Sequence, residues 1–540
     1  MTKKFYVVLI LLFALLTLGL GSWGLTESSE ARYAEIGREM AMSNDFIHPS
    51  LLGIGHYHKP PITYAITAIG YKVFGFNEFG ARFFMSLALI LQLLLIFKIG
   101  RLWFKDEKIG IAAALIYFSF PIALIAARNL TTDAYLATFI IWSIYLWLQV
   151  KVNNKKAYLY LFYIALGLGF LTKGPVAFLP TALFILCYKI IYKEKPKLSI
   201  HSISGLILLL VLSVSWFATI VAEKPALWDY FIQEQIIART VAAETFHRAK
   251  PIWFYLVFAP LLCLPWLVPI VLNLYKEKSI ISLNRETKTC GYSALAILIT
   301  YSLFSSKLIL YILPLYPVLA LFFGTIFIKH SETSKKIYLI SFKGAYILLG
   351  LIIIALIIMP MISFNIWLAL FLLISALATA YYLFYKSAFA FRFKILTLST
   401  VAYCFVIIIH TSFSAQNSFV INSPKPQYEF IKTERADTDY KVLIYDNLLS
   451  SAPFYLDERI ITIYDTNFEA KRDTRFEKTD VWKQSYLPLN EEGQMKRLKE
   501  LLNDKNNVLL IKTKKSLPEE LTYLLEKFKS KEFKKWTVYY

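Results

Sequence analysis

Long apolar runs separated by short basic segments fill most of the chain, and a polar tail of mixed pattern follows. A membrane-crossing helix needs roughly 20 mostly apolar residues. By that measure about thirteen spans are expected, centred near residues 15, 88, 118, 140, 164, 183, 212, 263, 298, 318, 350, 374 and 404. The first run, FYVVLILLFALLTLGLGSWGL, is longer than the apolar core of a signal peptide. No small-x-small cleavage site follows it, so an uncleaved first span is expected.

Two connections are much longer than the rest, residues 26–77 and 223–251. In the first, EARYAEIGREMAMS sets Tyr33, Ile36, Met40 and Met42 roughly on one side of a helix and Glu30, Arg38 and Glu39 elsewhere. This predicts an amphipathic helix in the interface plane. Pro49 and Pro60-Pro61 break it, and ITYAITAIGYKVFG predicts a second surface helix. The second connection, WDYFIQEQIIARTVAAETFHRAKP, also reads as an amphipathic helix.

From Ser414 the period changes. KVLIYD, RIITIYD, NVLLIKT and KKWTVYY read as strands, alternating with helical EGQMKRLKELLND and LPEELTYLLEKFK. The expected organisation is a transmembrane domain over 1–413 and a small α/β domain over 414–540. The tail has no Gly-rich phosphate loop, and a scaffold or partner-binding module is its expected role.

Composition supports the membrane class. The chain is 57% hydrophobic and 18% charged, against about 25% charged for a soluble domain. A net charge of +21 would suggest nucleic acid in a soluble protein. Here the tail is nearly balanced, and the excess lies in alternate short loops, such as Lys98–Lys108, Lys151–Lys156, Lys189–Lys197 and Lys386–Lys394. This is the positive-inside pattern. It excludes nucleic acid as a partner and predicts a cytoplasmic N-terminus with the tail on the opposite side. The four cysteines lie in or beside apolar runs with no ligand spacing and read as small buried hydrophobes.

Ionisable residues at the ends of spans are the candidates for chemistry, because burying them is costly. Glu27, Glu30, Arg32, Tyr33 and Glu35 form one group, which reads either as a solvated helix face or as a carboxylate site held by Arg32. In His56-Tyr57-His58-Lys59-Pro60-Pro61, the two histidines at i, i+2 suit a divalent metal or simple hydrogen bonding. Lys59, beside a rigid Pro-Pro, suits a phosphate. Asp133, in RNLTTDA, either caps a helix or acts as an acid. Arg239, with Glu234, Gln235 and His247, marks the second long loop. Lys307 and Tyr311 in SSKLILYILPLYP suit a phosphate clamp, with lipid-headgroup snorkelling the alternative; Lys173 in FLTKGP carries the same ambiguity.

These motifs, E-x-RYAEI-x-REM…P…Y-x-KPP…Y…FG-x-NEF-x-AR, then RNLTTDA, FLTKGP and KLILYILPLYP in order, resemble the polytopic glycosyltransferases of the dolichyl-phosphate-mannose protein mannosyltransferase superfamily. Within it they are most similar to the aminoarabinose (4-amino-4-deoxy-L-arabinose) lipid A transferases. The resemblance covers the whole membrane part. It implies a mainly α polytopic fold of the GT-C type and a polyprenyl-phosphate-linked sugar donor, with transfer on the periplasmic face of the bacterial inner membrane and inversion at the anomeric carbon. Lys59, Arg239 and Tyr311, with Lys307, would hold the carrier phosphate. Glu30, Tyr33 and Asp133 would line the reacting region; if the relatives share a divalent metal here, this chain, with His58, has swapped a ligand type or lost the metal. The aminoarabinose transferases typically carry Asp-Glu-x-Arg-Tyr where this chain has Ser29-Glu30-Ala31-Arg32-Tyr33. They carry Glu before Lys-Pro where it has His58, and Glu-His where it has Glu234-Gln235.

The expected function is transfer of a sugar to lipid A, another glycan or protein. A protein O-mannosyltransferase-like activity is the nearest alternative. A transporter or flippase would place charges at mid-membrane and show inverted repeats, and the sequence has neither. In a third reading the membrane part is a non-catalytic partner and the tail does the work.

Overall fold

The computed structural model describes residues 2–195, 199–238, 249–276, 283–332, 334–436, 438–457, 460–466, 474–477 and 479–540. The chain divides into two compact units. One comprises Met1–Leu20 with Arg82–Phe413, and the other Gly21–Ala81 with Ser414–Tyr540. The first long loop therefore groups with the C-terminal domain, not with the spans that flank it.

The first unit is helical. Seven described helices are long and apolar enough to cross a membrane, or eight if the bent pair Glu107–Phe118 and Pro121–Arg128 is one span. The thirteen expected centres fall on or beside helical segments, but the remaining segments are too short or too polar to count as spans by that measure. The bent pair turns by 64° because Pro121 starts a new helix. Trp266 Nε1 donates to Ser119 Oγ at 2.7 Å across the break. The expected span near residue 263 is instead two short helices, Phe254–Leu261 and Leu267–Lys276. Pro265, between them, has no N–H to continue the ladder. Ile207, Val211, Ile347 and Leu351 are exposed on long helices, as lipid-facing positions are.

Two buried arginines staple this unit. Arg82 Nη1 donates to Leu20 O at 2.9 Å. Arg128 donates to Leu16 O at 2.8 Å and to Thr411 Oγ1, so the first and last helices share one cation.

In the second unit, helix Ser29–Ser43 differs from its expected amphipathic form. Its buried residues include Glu30, Glu35 and Arg38 alongside Ala31, Ala34, Ile36, Met40 and Ala41, whereas Met42 is exposed. A stripe of small residues forms another side of this helix. A Cβ on Gly37 would come within 2.7 Å of the Thr67 side chain, so helix Ile62–Phe74 approaches closely. Between the two helices lies a small ribbon of β1 (Ser50–Leu51) and β2 (Ile54–Gly55).

The expected α/β domain is a six-stranded sheet of β3 (Val442–Tyr445), β4 (Ile460–Tyr464), β5 (Tyr486–Pro488), β6 (Val508–Lys512), β7 (Ser530–Glu532) and β8 (Trp536–Tyr539). Its order is β5-β4-β3-β6-β8-β7. The first four strands in that order are parallel, and β8 and β7 add antiparallel. The four expected strands are β3, β4, β6 and β8. Leu498 and Leu502 of helix Gln494–Asn503 pack on Leu443, Ile463 and Leu509 in the core.

The loop is tied to this domain by main-chain and side-chain bonds. Leu25 N donates to Tyr455 Oη at 2.9 Å, and Ser451 N to Glu27 Oε1 at 2.7 Å. Glu78 Oε1 accepts from Tyr455 Oη at 2.9 Å and from Lys425 Nζ at 2.8 Å.

Candidate active site

In the first unit the polar groups converge at the open end of a helical hairpin. Helix Thr132–Asn153 runs into helix Lys156–Lys173 through Asn154, which has φ of 50°. The N-terminus of the first therefore lies beside the C-terminus of the second. Asp133 sits in the first turn of one and Lys173 in the last turn of the other, each at the helix end whose dipole favours its charge. Gly174 (φ 81°) takes the left-handed turn that ends the second helix, and Pro175 follows. The Lys-Gly-Pro spelling thus fixes where Lys173 stops.

Lys173 Nζ lies 2.5 Å from Asp133 Oδ1, with the side chains 10% and 7% exposed. The same ammonium sits 3.9 Å from the ring centroid of Tyr311. Tyr311 is carried by the short 3-10 turn Ile309–Ile312, which Tyr255 Oη anchors by donating to Leu308 O at 2.8 Å. The base of Asp133's helix is held by Gln92, which donates to Ala134 O at 2.8 Å and Thr138 Oγ1 at 2.9 Å.

Lys307 has a different environment. Only 2% exposed, its ammonium donates to Lys250 O at 2.9 Å and Phe304 O at 2.5 Å, beside a bridge between Ala249 and Ser306. It closes one loop on another through main-chain carbonyls. Lost hydration there pushes its pKa down. The structure thus brings together Asp133, Lys173 and Tyr311, and Lys307 clips the neighbouring loop. Arg239 and His247 lie outside the described residues. Gln235 Nε2 donates to Tyr230 Oη at 2.6 Å in the π-helical stretch Tyr230–Ala238.

In the second unit Glu30 is 2% exposed and accepts the Thr26 N–H at 2.9 Å, closing its own helix start. Tyr33 stacks on Tyr64 at 5.6 Å. Lys59 is half-buried just before Pro60-Pro61. The His56 and His58 rings are 3.9 Å apart, but among the described residues no three His, Cys, Asp or Glu side chains group as a metal would require.

The same unit holds an acid network that the spacing of apolar residues concealed. Glu35, fully buried, takes both Arg38 Nε and Nη2 at 2.8 Å. Glu39 accepts the Leu52 N–H at 2.5 Å and the Ser50 hydroxyl. Burial, reinforced by the Glu35 charge, pushes the Glu39 carboxyl up to about 7. Burial likewise raises Glu35 and lifts Glu27 to about 7.

A mainly α polytopic fold, with a small α/β domain, is the class these features define. Residues 58–217 match the model of the family described as dolichyl-phosphate-mannose-protein mannosyltransferase. The chain is similar to undecaprenyl phosphate-alpha-4-amino-4-deoxy-L-arabinose arabinosyl transferase 2 of Pseudomonas fluorescens (strain Pf0-1), with 32% identity over 60% of each chain. The corresponding transferase of Pseudomonas paraeruginosa is 29% identical over 66% of this chain and 65% of that protein. The match to the first of these spans 60% of the relative's length. The fold is ArnT-like: the crystal structure of ArnT from Cupriavidus metallidurans bound to undecaprenyl phosphate superposes with a TM-score of 0.78 at 19% identity, covering 100% of this chain and 98% of that one.

Proposed function

We propose that the chain is an integral-membrane glycosyltransferase. It moves a sugar from a polyprenyl-phosphate donor to lipid A or another envelope acceptor on the periplasmic face, with its N-terminus cytoplasmic and its C-terminal domain periplasmic. The observation that carries this reading is the buried Asp133–Lys173 pair under Tyr311 at the end of a membrane hairpin. The similarity to the arabinosyl transferases supports it.

The reaction breaks the bond between the anomeric carbon and the phosphate oxygen, and the phosphate leaves with the electron pair. Lys173 and Tyr311 supply a cation and a phenolic hydroxyl to the charge that grows there, in a site poor in water. Asp133 takes the proton of an acceptor hydroxyl; a phosphate acceptor is already a nucleophile and needs little base. Attack from the face opposite the leaving group inverts the anomeric carbon. Lys59 and Arg239 are proposed as further ligands of the donor phosphate on the strength of their motifs, and Glu30 and Tyr33 as residues of the reacting region. Lys307 takes the role of loop clip because its ammonium is committed to carbonyls.

The test is mass spectrometry of lipid A and envelope glycans from a strain lacking the chain, complemented with the wild type or Asp133→Asn. Loss of one sugar substituent, restored only by the wild type, is the expected result. An unchanged glycan profile, or full restoration by Asp133→Asn, overturns the reading. A mannosylated envelope protein among the lost products would favour the protein O-mannosyltransferase alternative, which the matched family description supports.

A further inference from the structure

Within the loop-and-tail unit, a cleft of about 660 Å³ opens between helix Ser29–Ser43 and the leading ends of β3, β4 and β5. That is within the roughly 300–1,000 Å³ of small-molecule sites. One wall is a single helix face, Glu35, Arg38, Glu39, Met42 and Ser43, at the spacing that stacks side chains along a helix. The other wall is the chain entering each strand: Tyr440 and Lys441 before β3, Asp457 before β4, Gln484 and Ser485 before β5.

This is the unusual end of the sheet. Doubly wound sheets bind ligands beyond the carboxyl ends of their strands, at the point where strand order reverses. Here that point lies between β3 and β6, and the chain fills it with its own groups. Asp446 pairs with Lys515 and accepts from Thr466 N at 3.0 Å and Thr466 Oγ1 at 2.6 Å. Among the described residues, the cleft at the opposite end has no such plug.

We propose that this cleft binds a carbohydrate ring, independently of the transfer reaction. Planar carboxylate, amide and guanidinium groups alternate around it, and sugar hydroxyls, which both donate and accept, match such a lining. Four acids (Glu35, Glu39, Asp439, Asp457) against two bases (Arg38, Lys441) disfavour a phosphate or nucleotide, and the polar walls disfavour a lipid tail. Arg38 is 9% exposed, and its Nη1, a charged donor, faces the Met42 thioether at 2.8 Å, a weak acceptor that a hydroxyl would better. The backbone bears on the same place. Asp457 holds φ 60°, ψ −150°, a region that is almost exclusively glycine's, and Leu52 holds φ 55° on the helix side. Strain of this kind clusters at ligand sites. Glu39, with its carboxyl near 7, offers a hydroxyl either a lone pair or a proton.

The experiment is saturation-transfer NMR on the full-length protein in detergent micelles, with glucose and glucosamine as probes and inorganic phosphate and spermidine as counter-probes. Transfer from either sugar is expected. Ser43→Trp, which fills the cleft from an exposed position and leaves the Glu35–Arg38 pair intact, should abolish it. Glu39→Gln should weaken it roughly tenfold, the scale of one charged hydrogen bond. Lys441→Met provides a second exposed-wall variant should Ser43→Trp lower the melting temperature. No transfer from either sugar, transfer that survives both wall variants, or binding of phosphate or spermidine alone would overturn the proposal.

Discussion

Lys173 and Lys307 are both lysines beside short loops of the membrane unit, and both are almost wholly shielded. Their surroundings separate them. Lys173 meets an acid and an aromatic ring, and Lys307 meets two main-chain carbonyls. An acid and a ring leave the ammonium free to share its charge with an arriving anion. Carbonyls of two segments fix the ammonium as part of the framework. Burial of a cation therefore does not mark a site by itself; the partner decides whether the charge is available.

The comparison can be broken most severely at the Asp133–Lys173 pair. Lys173→Met leaves a buried carboxylate uncompensated and should cost about 3–5 kcal/mol of stability as well as transfer activity. Asp133→Leu combined with Lys173→Met should recover most of the melting temperature but none of the activity. Recovery of both would remove the pair from the chemistry. Asp133→Asn strands the Lys173 ammonium in the same way, so stability should fall by a similar amount, and transfer per folded molecule should drop about a hundredfold; a transfer assay with the purified protein reads this directly. Lys307→Met tests the other side. Two carbonyls lose their donor, and stability should fall by about 2 kcal/mol, with activity per folded molecule within a fewfold of wild type. A selective rise in KM for the lipid-linked donor would instead return Lys307 to the phosphate site.

A further test is one of pH. Glu27 and Glu39 titrate near 7 in the folded protein against 4.5 for the free side chain. Between those values the folded state binds more protons than the unfolded, so stability falls as pH rises through that window and is flat above it. The second unit should melt lower at pH 8 than at pH 5, and Glu27→Gln with Glu39→Gln should flatten the dependence. A melting temperature that rises with pH in this range would contradict the burial of these acids.

Much of this was legible in the chain. The strands KVLIYD, RIITIYD, NVLLIKT and KKWTVYY became β3, β4, β6 and β8, because alternating and β-branched runs report a packed sheet directly. The hairpin end was readable too, since Gly174 and Pro175 dictate where the helix stops. Lys173 was noticed but not paired with Asp133, because 40 residues separate them and only the antiparallel return of the hairpin makes them neighbours. The Glu35–Arg38–Glu39 network was misjudged for a physical reason. Charged residues at helical spacing normally face water, whereas here Glu35 is taken by Arg38, and Glu39 by the Ser50 hydroxyl and the Leu52 N–H, on the side of the helix that lines a cleft. The span near 263 was drawn through Pro265 on hydrophobicity alone, which does not register a missing N–H.

The second unit is assembled from two stretches that leave the ribosome far apart in time. Tyr455 must be made before Leu25 finds its hydrogen-bond partner, and 430 positions lie between them. At about 5–20 residues per second this amounts to roughly 20–90 s. For that interval the loop bearing Glu30, Tyr33 and Lys59 is translated but has none of the C-terminal residues that hold Glu27 and Glu78. Maturation of this loop thus waits for synthesis to pass Tyr455, and a chain cut short before that residue would insert its helices and still lack the packed form of its first loop.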